Sequence, residues 1–267
     1  MQTSYITMGR DNVVNYLQKG ASPVSPPLNP AKTDPVEGSS SLSNPFVLHK
    51  SSTKHDYFEN NRHYVDSINF NHSNQVFQLN GKGQAPHTLW IGCSDSRAGE
   101  SCLATLPGEI FTHRNIANIV TASDISCQGA IQFAIDVLKV SKIIVCGHTD
   151  CGGVWASLSA KKIGGVLDLW LNPVRLIRAL NNKELNLLND DPKAKCKRLS
   201  ELNVINSVTA LKRHPSAAQA LKNGEIEVWG MMYDVSTGLL SEVEVPVDDH
   251  EDLFHVYDEV DDGEHGH

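Results

Sequence analysis

Residues 87–148 contain two apolar segments with a helical segment between them, and this pattern limits the possible folds more than any other feature of the sequence. HTLWIG (87–92) and KIIVCGH (142–148) are short and apolar, as is typical of buried strands. Between them, DISCQGAIQFAIDVLKV (124–140) repeats apolar residues at helical spacing, and Asp124 is placed to cap its start. Strand, helix and strand in this order predict an α/β fold with a central, mostly parallel β-sheet flanked by helices.

The segments on either side extend this prediction. Residues 54–79 have a polar but helical pattern, and EIFTH (109–113) is expected to form a short strand. Two further helices are predicted, in GVLDLWLNPVRLIRAL and KRLSELNVINSVTALKRH. Residues 225–245 alternate apolar and polar residues around Thr237-Gly238, which predicts a C-terminal β-hairpin.

The composition changes at both ends of the chain. Six of the twelve prolines lie between residues 20 and 45, so residues 1–45 are predicted to form a flexible Pro/Ser-rich arm with a short helix in DNVVNYLQKG. Residues 46–247 are expected to form the folded domain. Residues 248–267 are acidic and predicted to be a disordered tail. A weaker hypothesis gives the tail histidines a role in scavenging metal ions: His250, His255, His265 and His267.

Charge and hydropathy argue against two classes of partner. The formal charge of −8 arises from the tail, since nine of the 31 acids follow residue 247 and the remaining 22 face 23 bases. A nearly neutral body offers no electrostatic basis for binding nucleic acid. No apolar run approaches the ~18 residues of a membrane span, so no membrane partner is expected. No secretory signal is recognisable, and we expect a cytoplasmic location with a mitochondrial one as the alternative. Six cysteines in such a chain are expected to be reduced.

Potential metal ligands follow the two predicted strands. In CGHTDCGG, His148 and Cys151 are separated by two residues, and imidazole and thiolate are ligands that zinc prefers. By itself this spacing fits equally well a buried histidine and a small core cysteine. Cys93, at the end of the other strand, adds a third soft ligand. Three protein ligands with an open fourth position are typical of catalytic zinc. Four residues remain alternatives for a fourth ligand: Asp95, Cys102, Cys127 and Cys146.

Asp95 and Arg97 follow Cys93 at every second position. A forked guanidinium suits a carboxylate, so the hypothesis is that Arg97 pairs with Asp95, keeps it ionised and holds it off the metal. Asp95 would then accept a hydrogen bond from hydroxide on the zinc. The alternative is an ordinary surface ion pair in a turn.

CSDSR, followed about fifty residues later by GHTDCGG, resembles the β-class carbonic anhydrases, and the arm and tail are most similar to fungal members. The resemblance covers roughly residues 46–245. It implies Zn²⁺ bound to Cys93, His148 and Cys151, with Asp95 and Arg97 as a catalytic dyad. It also implies reversible hydration of CO₂ to bicarbonate and a proton, by attack of zinc-bound hydroxide, in a homodimer or higher homo-oligomer with the active site at the subunit boundary.

The same resemblance assigns residues that contact the substrate. Gln84 matches a glutamine that hydrogen-bonds bicarbonate, Phe111 and Ile116 match apolar pocket walls, and the Gly152 backbone faces the substrate. Phe133 stands where plant members have a tyrosine, which puts a tyrosine-dependent proton route in doubt. His113 is a candidate proton shuttle, with a core or surface histidine as the alternative.

Three other functions stay open on the sequence. The same ligands would serve a zinc hydrolase of carbon disulfide or carbonyl sulfide. A cysteine-phosphatase loop requires C-x₅-R, whereas Cys93 and Arg97 form C-x₃-R. A structural or redox-sensing zinc protein would require a fourth ligand, which a zinc-protected fourth cysteine would reveal.

Overall fold

The computed structural model describes residues 45–254, without the side chains of 251 and 252. The predicted N-terminal arm and its short helix lie outside the described residues, as does the tail beyond residue 254. The boundaries proposed at residues 45 and 247 stay predictions. In the described residues, one compact unit ends at Tyr57 and a second begins at Phe58.

The predicted helix over residues 54–79 is two helices, α1 (Lys54–Asn71) and α2 (Gln75–Asn80). At the start of α1, the Thr53 N–H and hydroxyl both donate to Asp56 Oδ2, so the third helical residue satisfies the N–H of the residue that precedes the helix. The break falls at Ser73 and Asn74, whose φ angles of 52° and 59° are left-handed. A helix cannot continue through that conformation. The prediction used only the apolar pattern of residues 54–79, which does not show a break of this kind.

A five-stranded sheet forms the centre of the second unit. Its strands are β1 (Thr88–Cys93), β2 (Ile110–Asn115), β3 (Lys142–His148), β4 (Glu227–Tyr233) and β5 (Leu240–Val243), in the order β2-β1-β3-β4-β5. The first four are parallel, and β5 runs antiparallel to β4. The carboxyl ends of β1 and β3 therefore lie side by side at one edge of the sheet.

The predicted hairpin is confirmed as the β4–β5 pair. The Gly238 N–H donates to the Asp234 carbonyl at 2.8 Å, and Gly238 has a φ of 73°. A glycine is needed here because other residues adopt that φ only under strain.

The crossover from β2 to β3, which lie on either side of β1 in the sheet, contains α3 (Ile125–Gln132), which continues as one π-helical turn over Phe133–Val137. Asp124 caps α3 as predicted, because its carboxylate accepts the Cys127 N–H at 3.2 Å. In the π turn the Leu138 N–H reaches the Phe133 carbonyl, five residues back. Such an insertion rotates the following side chains about the helix axis, and Phe133 and Val137 are exposed.

In the described part of the second unit, β3 is followed by six α-helices: α4 (Gly152–Leu158), α5 (Val166–Trp170), α6 (Asn172–Leu180), α7 (Asn182–Asn186), α8 (Pro192–Lys212) and α9 (Pro215–Lys222). The main core packs α3, α8 and α9 against one face of the sheet, with Leu89, Ile143 and Val208 fully buried. A second cluster joins α4, α6 and α8 beside Cys93 and Cys151. The predicted α/β fold is confirmed. No helix within residues 45–254 is both long and apolar enough to cross a bilayer.

Candidate metal centre

Three segments bring Cys93, His148 and Cys151 together. Cys93 is the last residue of β1 and His148 the last of β3, and these strands are parallel neighbours. Cys151 then precedes the first turn of α4, which starts at Gly152. The side-chain donors converge because the strands end at one edge and the chain turns back over it.

The geometry of this cluster fits a tetrahedral metal ion. The Cys93 and Cys151 sulfurs are 4.0 Å apart, close to the spacing of about 3.8 Å for two thiolates on one tetrahedral zinc with Zn–S bonds of about 2.3 Å. All three ligand atoms lie within 4.8 Å of one another. All three residues are buried, at 6%, 1% and 2% exposure.

The His148 ring is oriented for a ligand that protein groups do not supply. Its Nδ1 lies 2.9 Å from the Thr149 carbonyl, which requires Nδ1 to carry the proton and leaves Nε2 as the acceptor. Nε2 is buried and has no hydrogen-bond partner among the described residues. An unsatisfied buried nitrogen is unfavourable, and a metal ion would satisfy it.

The two thiols, Cys93 and Cys151, differ in pKa. The hydrogen bond from Cys151 lowers the pKa of Cys93, and the same bond raises the pKa of Cys151. The Ala117 N–H also donates to the Cys93 sulfur at 3.3 Å. Both contacts favour the thiolate form at Cys93 rather than at Cys151.

The predicted pairing of Asp95 and Arg97 is present. The Arg97 Nε and Nη2 groups donate to the two Asp95 carboxylate oxygens at 3.0 and 2.8 Å, and the Arg97 backbone N–H adds a bond of 2.9 Å. These bonds lower the pKa of Asp95 to about 2, so it is ionised at neutral pH. Asp95 Oδ2 lies 3.9 Å from His148 Nε2, beside the cluster.

Two residues that the sequence did not single out extend this pair. Arg97 Nη1 donates to Asp150 Oδ2 at 3.1 Å, and Nη2 donates to the Asp150 carbonyl at 3.1 Å. The Trp155 indole N–H donates to the other Asp150 oxygen at 2.8 Å. Asp150 lies between His148 and Cys151 in the sequence. This position was the signal that could have identified it as a residue of the site.

Arg114 was also missed as a structural element of the site. Its Nε donates to the Cys93 carbonyl at 2.8 Å, and its Nη2 donates to the Asp95 and Ala98 carbonyls, each at 2.6 Å. Arg114 therefore holds the turn that leaves β1, the segment that positions both a candidate ligand and the dyad.

The candidates for a fourth ligand do not join the cluster. Within residues 45–254 the group of mutually close ligand atoms around Cys93 has three members. Cys127 is in the main core, and Cys146 packs beside Trp90 and Ile144. Cys102 is a partly buried neighbour of that Trp90 cluster.

Comparison with known proteins identifies this arrangement. The carbonic anhydrase family model matches residues 88–240. A carbonic anhydrase of Candida albicans is 71% identical, over 89% of this chain and 85% of its own, and one of Saccharomyces cerevisiae is 36% identical, over 74% and 92%. A β-carbonic anhydrase structure from Sordaria macrospora superposes with a TM-score of 0.68 at 38% identity, over 71% of this chain and 95% of that one. Aspergillus fumigatus CafA gives 0.71 at 35%, over 75% and 98%.

The chain belongs to the β-class carbonic anhydrases. It is a carbonic anhydrase enzyme of the fungal type, as the sequence predicted. The match spans β1 to the start of β5, and therefore includes Cys93, His148 and Cys151.

The substrate residues expected for a β-carbonic anhydrase fall into two groups. Ile116 lies beside the cluster, since a Cβ on Gly153 would meet its Cγ2 at 3.2 Å. Gly152 is exposed next to Cys151, and a Cβ on it would meet no atom within 4 Å. Both residues are exposed next to the cluster of Cys93, His148 and Cys151.

Gln84 and Phe111 lie elsewhere. Gln84 is exposed in the loop before Thr88, at the amino end of β1. Phe111 pairs with Leu89 in the sheet, four residues before the partner of Cys93, which is about 13 Å along a strand. Its ring centroid lies 5.8 Å from that of Phe133. No hydrogen bond connects either side chain with the cluster in the described residues.

His113 lies in a second small group of polar side chains. Its Nε2 is 3.9 Å from Asp124 Oδ2 and 3.4 Å from Asn115 Nδ2. With Asp124 it is mostly buried, and Cys127 is close to both. The structure thus gives His113 neighbours that orient its ring, and the role as a proton shuttle stays a prediction.

Proposed function

We propose that this enzyme catalyses the reversible hydration of CO₂ to bicarbonate and a proton, with zinc bound to Cys93, His148 and Cys151. The single observation that carries the proposal is the buried His148 Nε2, which has no hydrogen-bond partner in the described part of the chain and lies close to two sulfurs at tetrahedral spacing. Membership of the carbonic anhydrase family supports the same reaction.

Zinc held by Cys93, His148 and Cys151 would act as a Lewis acid and would supply the hydroxide nucleophile at neutral pH. The protein residues restrict what enters beside it. Because Asp95 is ionised, it acts only as a hydrogen-bond acceptor. A molecule that can donate a hydrogen bond is therefore favoured next to Asp95, and an anion without a proton to donate is disfavoured. Arg97 holds both Asp95 oxygens and keeps this carboxylate from becoming a fourth ligand.

Ile116 and Gly152, both exposed beside the cluster, are suited to contact CO₂. An apolar wall and a glycine without a side chain accept a small linear molecule without offering it a competing charge. Among residues 45–254 no fourth cysteine joins the cluster, which argues against a purely structural zinc site. A cysteine-phosphatase loop would need an arginine guanidinium that is free to bind phosphate. In the described residues, the Arg97 guanidinium is bonded to both oxygens of Asp95 instead.

We further propose that a second copy of the chain completes the site. Gln84 and Phe111 lie away from the cluster of their own chain, so the roles expected of them require a partner. β2, the strand of Phe111, is an outer strand of the sheet, and outer strands offer free backbone groups for association. The Sordaria macrospora β-carbonic anhydrase is tetrameric.

Replacement of one ligand tests the reaction and the metal together. Cys93→Ser should lose zinc and CO₂ hydration in parallel, because a serine hydroxyl is a poor zinc ligand. Cys102→Ser is the matched control, since Cys102 lies outside the cluster. Zinc content and stopped-flow hydration are measured on both. A metal-free Cys93→Ser protein with full activity contradicts the proposal, and faster turnover of carbon disulfide than of CO₂ by the wild type redirects it to that hydrolase.

A further inference from the structure

We propose that Asp150 and Trp155 are positioning residues, which set the orientation of Arg97 and through it that of Asp95. This inference rests on the proposed function, because it concerns how the dyad is held beside the metal. It adds two side chains to the site, on a segment distinct from the one that contains the dyad.

The contacts form one continuous chain of side chains. The indole N–H of Trp155 donates to Asp150 Oδ1, and Asp150 Oδ2 accepts from Arg97 Nη1. The remaining face of the guanidinium holds both oxygens of Asp95. Together with the bond to the Asp150 carbonyl, the Arg97 guanidinium donates four hydrogen bonds in this arrangement.

The dyad needs such an anchor because both of its members are on one turn. Asp95 and Arg97 are two residues apart, so their mutual bonds fix them relative to each other but not relative to His148 and Cys151. Asp150 lies between those two ligands in the sequence and reaches Arg97 from their side. The Arg97 side chain is 45% exposed. Without the bonds to Asp150, a long exposed side chain would populate several rotamers, and holding it in one of them would cost conformational entropy.

Trp155 is needed because Asp150 is itself exposed. The Asp150 side chain is 55% exposed, and an exposed ion pair alone orders a side chain weakly. Trp155 lies in the first turn of α4, where its N–H bonds to the Cys151 carbonyl at 2.9 Å, and its ring packs against the buried cluster that contains Cys93 and Cys151. The indole, held in place by α4, therefore fixes one Asp150 oxygen by a hydrogen bond and leaves the other oxygen free to accept from Arg97.

Asp150→Asn is the variant that breaks this chain with the least damage to the fold. Asp150 has a φ of 58°, a conformation that asparagine tolerates and alanine does not. An asparagine has only one acceptor oxygen, so it cannot receive Trp155 and Arg97 on separate oxygens. Trp155→Phe removes the N–H donor and retains an aromatic ring. Asp168→Asn is the control, since Asp168 pairs with Arg175 outside the site.

The expected kinetic effects are small and coupled. Asp150→Asn should lower kcat/KM about three- to fivefold, in the range for an exposed ion pair, and Trp155→Phe about twofold. Asp168→Asn should leave kcat/KM unchanged. Because Trp155 acts through Asp150, the double variant should be no slower than Asp150→Asn alone. Losses that multiply in the double variant, with zinc content and melting temperature equal to those of wild type, overturn the proposal.

A second measurement does not depend on turnover. The Nε–H of Arg97, assigned with an Arg97→Lys variant, is followed by ¹⁵N relaxation in the zinc-loaded and metal-free proteins. We expect this group to be as rigid as the backbone in wild type and to become mobile in Asp150→Asn. Unchanged rigidity in that variant refutes the positioning role. If the wild type fails to hydrate CO₂, the proposed function fails, while the relaxation result still decides whether Asp150 orders Arg97.

Discussion

Gly147, the residue before His148 in β3, has no room for a side chain. A Cβ at this position would meet Val204 Cγ2 at 2.7 Å and Met232 Sδ at 2.8 Å. Ordinary carbon contacts require about 3.5–4.0 Å, so neighbours must move by roughly 1 Å. Met232 is flexible and can adjust, but Val204 is β-branched in the middle of α8 and has one favourable rotamer in a helix.

We therefore expect Gly147→Ala to destabilise the protein by about 1–3 kcal/mol, the range for an overpacked core. The strain falls next to His148, so the apparent zinc affinity should also fall. Urea unfolding at a fixed zinc concentration measures the first effect, and competition with a chelator measures the second. Gly129→Ala is the control, because a Cβ on this exposed helical glycine meets nothing within 4 Å and should stabilise α3 by up to about 1 kcal/mol.

The double variant Gly147→Ala/Val204→Ala shows whether Val204 is the source of the strain. Val204→Ala alone leaves a cavity and is destabilising, but in the double variant the new methyl group occupies part of that space. The double variant should be more stable than the sum of the single changes predicts, by at least about 1 kcal/mol. Additive losses, or a Gly147→Ala protein as stable as wild type, would show that this reading of the β3–α8 packing is wrong.

Two further outcomes test the turn after β1 and the C-terminal end of the domain. Arg114→Gln removes a charged donor from three carbonyls and should cost about 2 kcal/mol of unfolding free energy, which urea titration measures against wild type. Arg213 holds both oxygens of Asp248 and thereby lowers the pKa of that carboxyl. A depressed carboxyl pKa stabilises the fold above its ordinary value of about 4 and loses this effect as the pH falls below it. The difference in melting temperature between wild type and Arg213→Gln should therefore be full at pH 7 and shrink at pH 3, and a difference that grows in acid would contradict the assignment.

Local patterns determined much of what was predicted. The apolar runs that end at Cys93 and His148 predicted two strands, and parallel strands in one sheet place their carboxyl ends together. The spacing of Asp95 and Arg97 allowed their pairing, because residues two apart in a turn can meet without help from the rest of the chain. The sequence also contained the cap at Asp124 and the glycine turn at Gly238.

Other features depend on contacts between distant segments. Asp150 meets Arg97 across 53 positions, and nothing near either residue in the sequence specifies the partner. The break at Ser73 and Asn74 and the π turn at Phe133 interrupt patterns that are locally helical. In each case local propensity is worth less than the packing and hydrogen bonds that oppose it.

From the sequence we could predict the types of the candidate ligands, the strand ends that present them and the family to which they belong. Three features could be read only from the folded chain. Within residues 45–254, His148 Nε2 lies close to two sulfurs and has no hydrogen-bond partner, and no fourth ligand joins this cluster. Gln84 and Phe111 lie away from it. Backbone periodicity is encoded over a few residues, whereas the distance between two side chains depends on how whole elements pack.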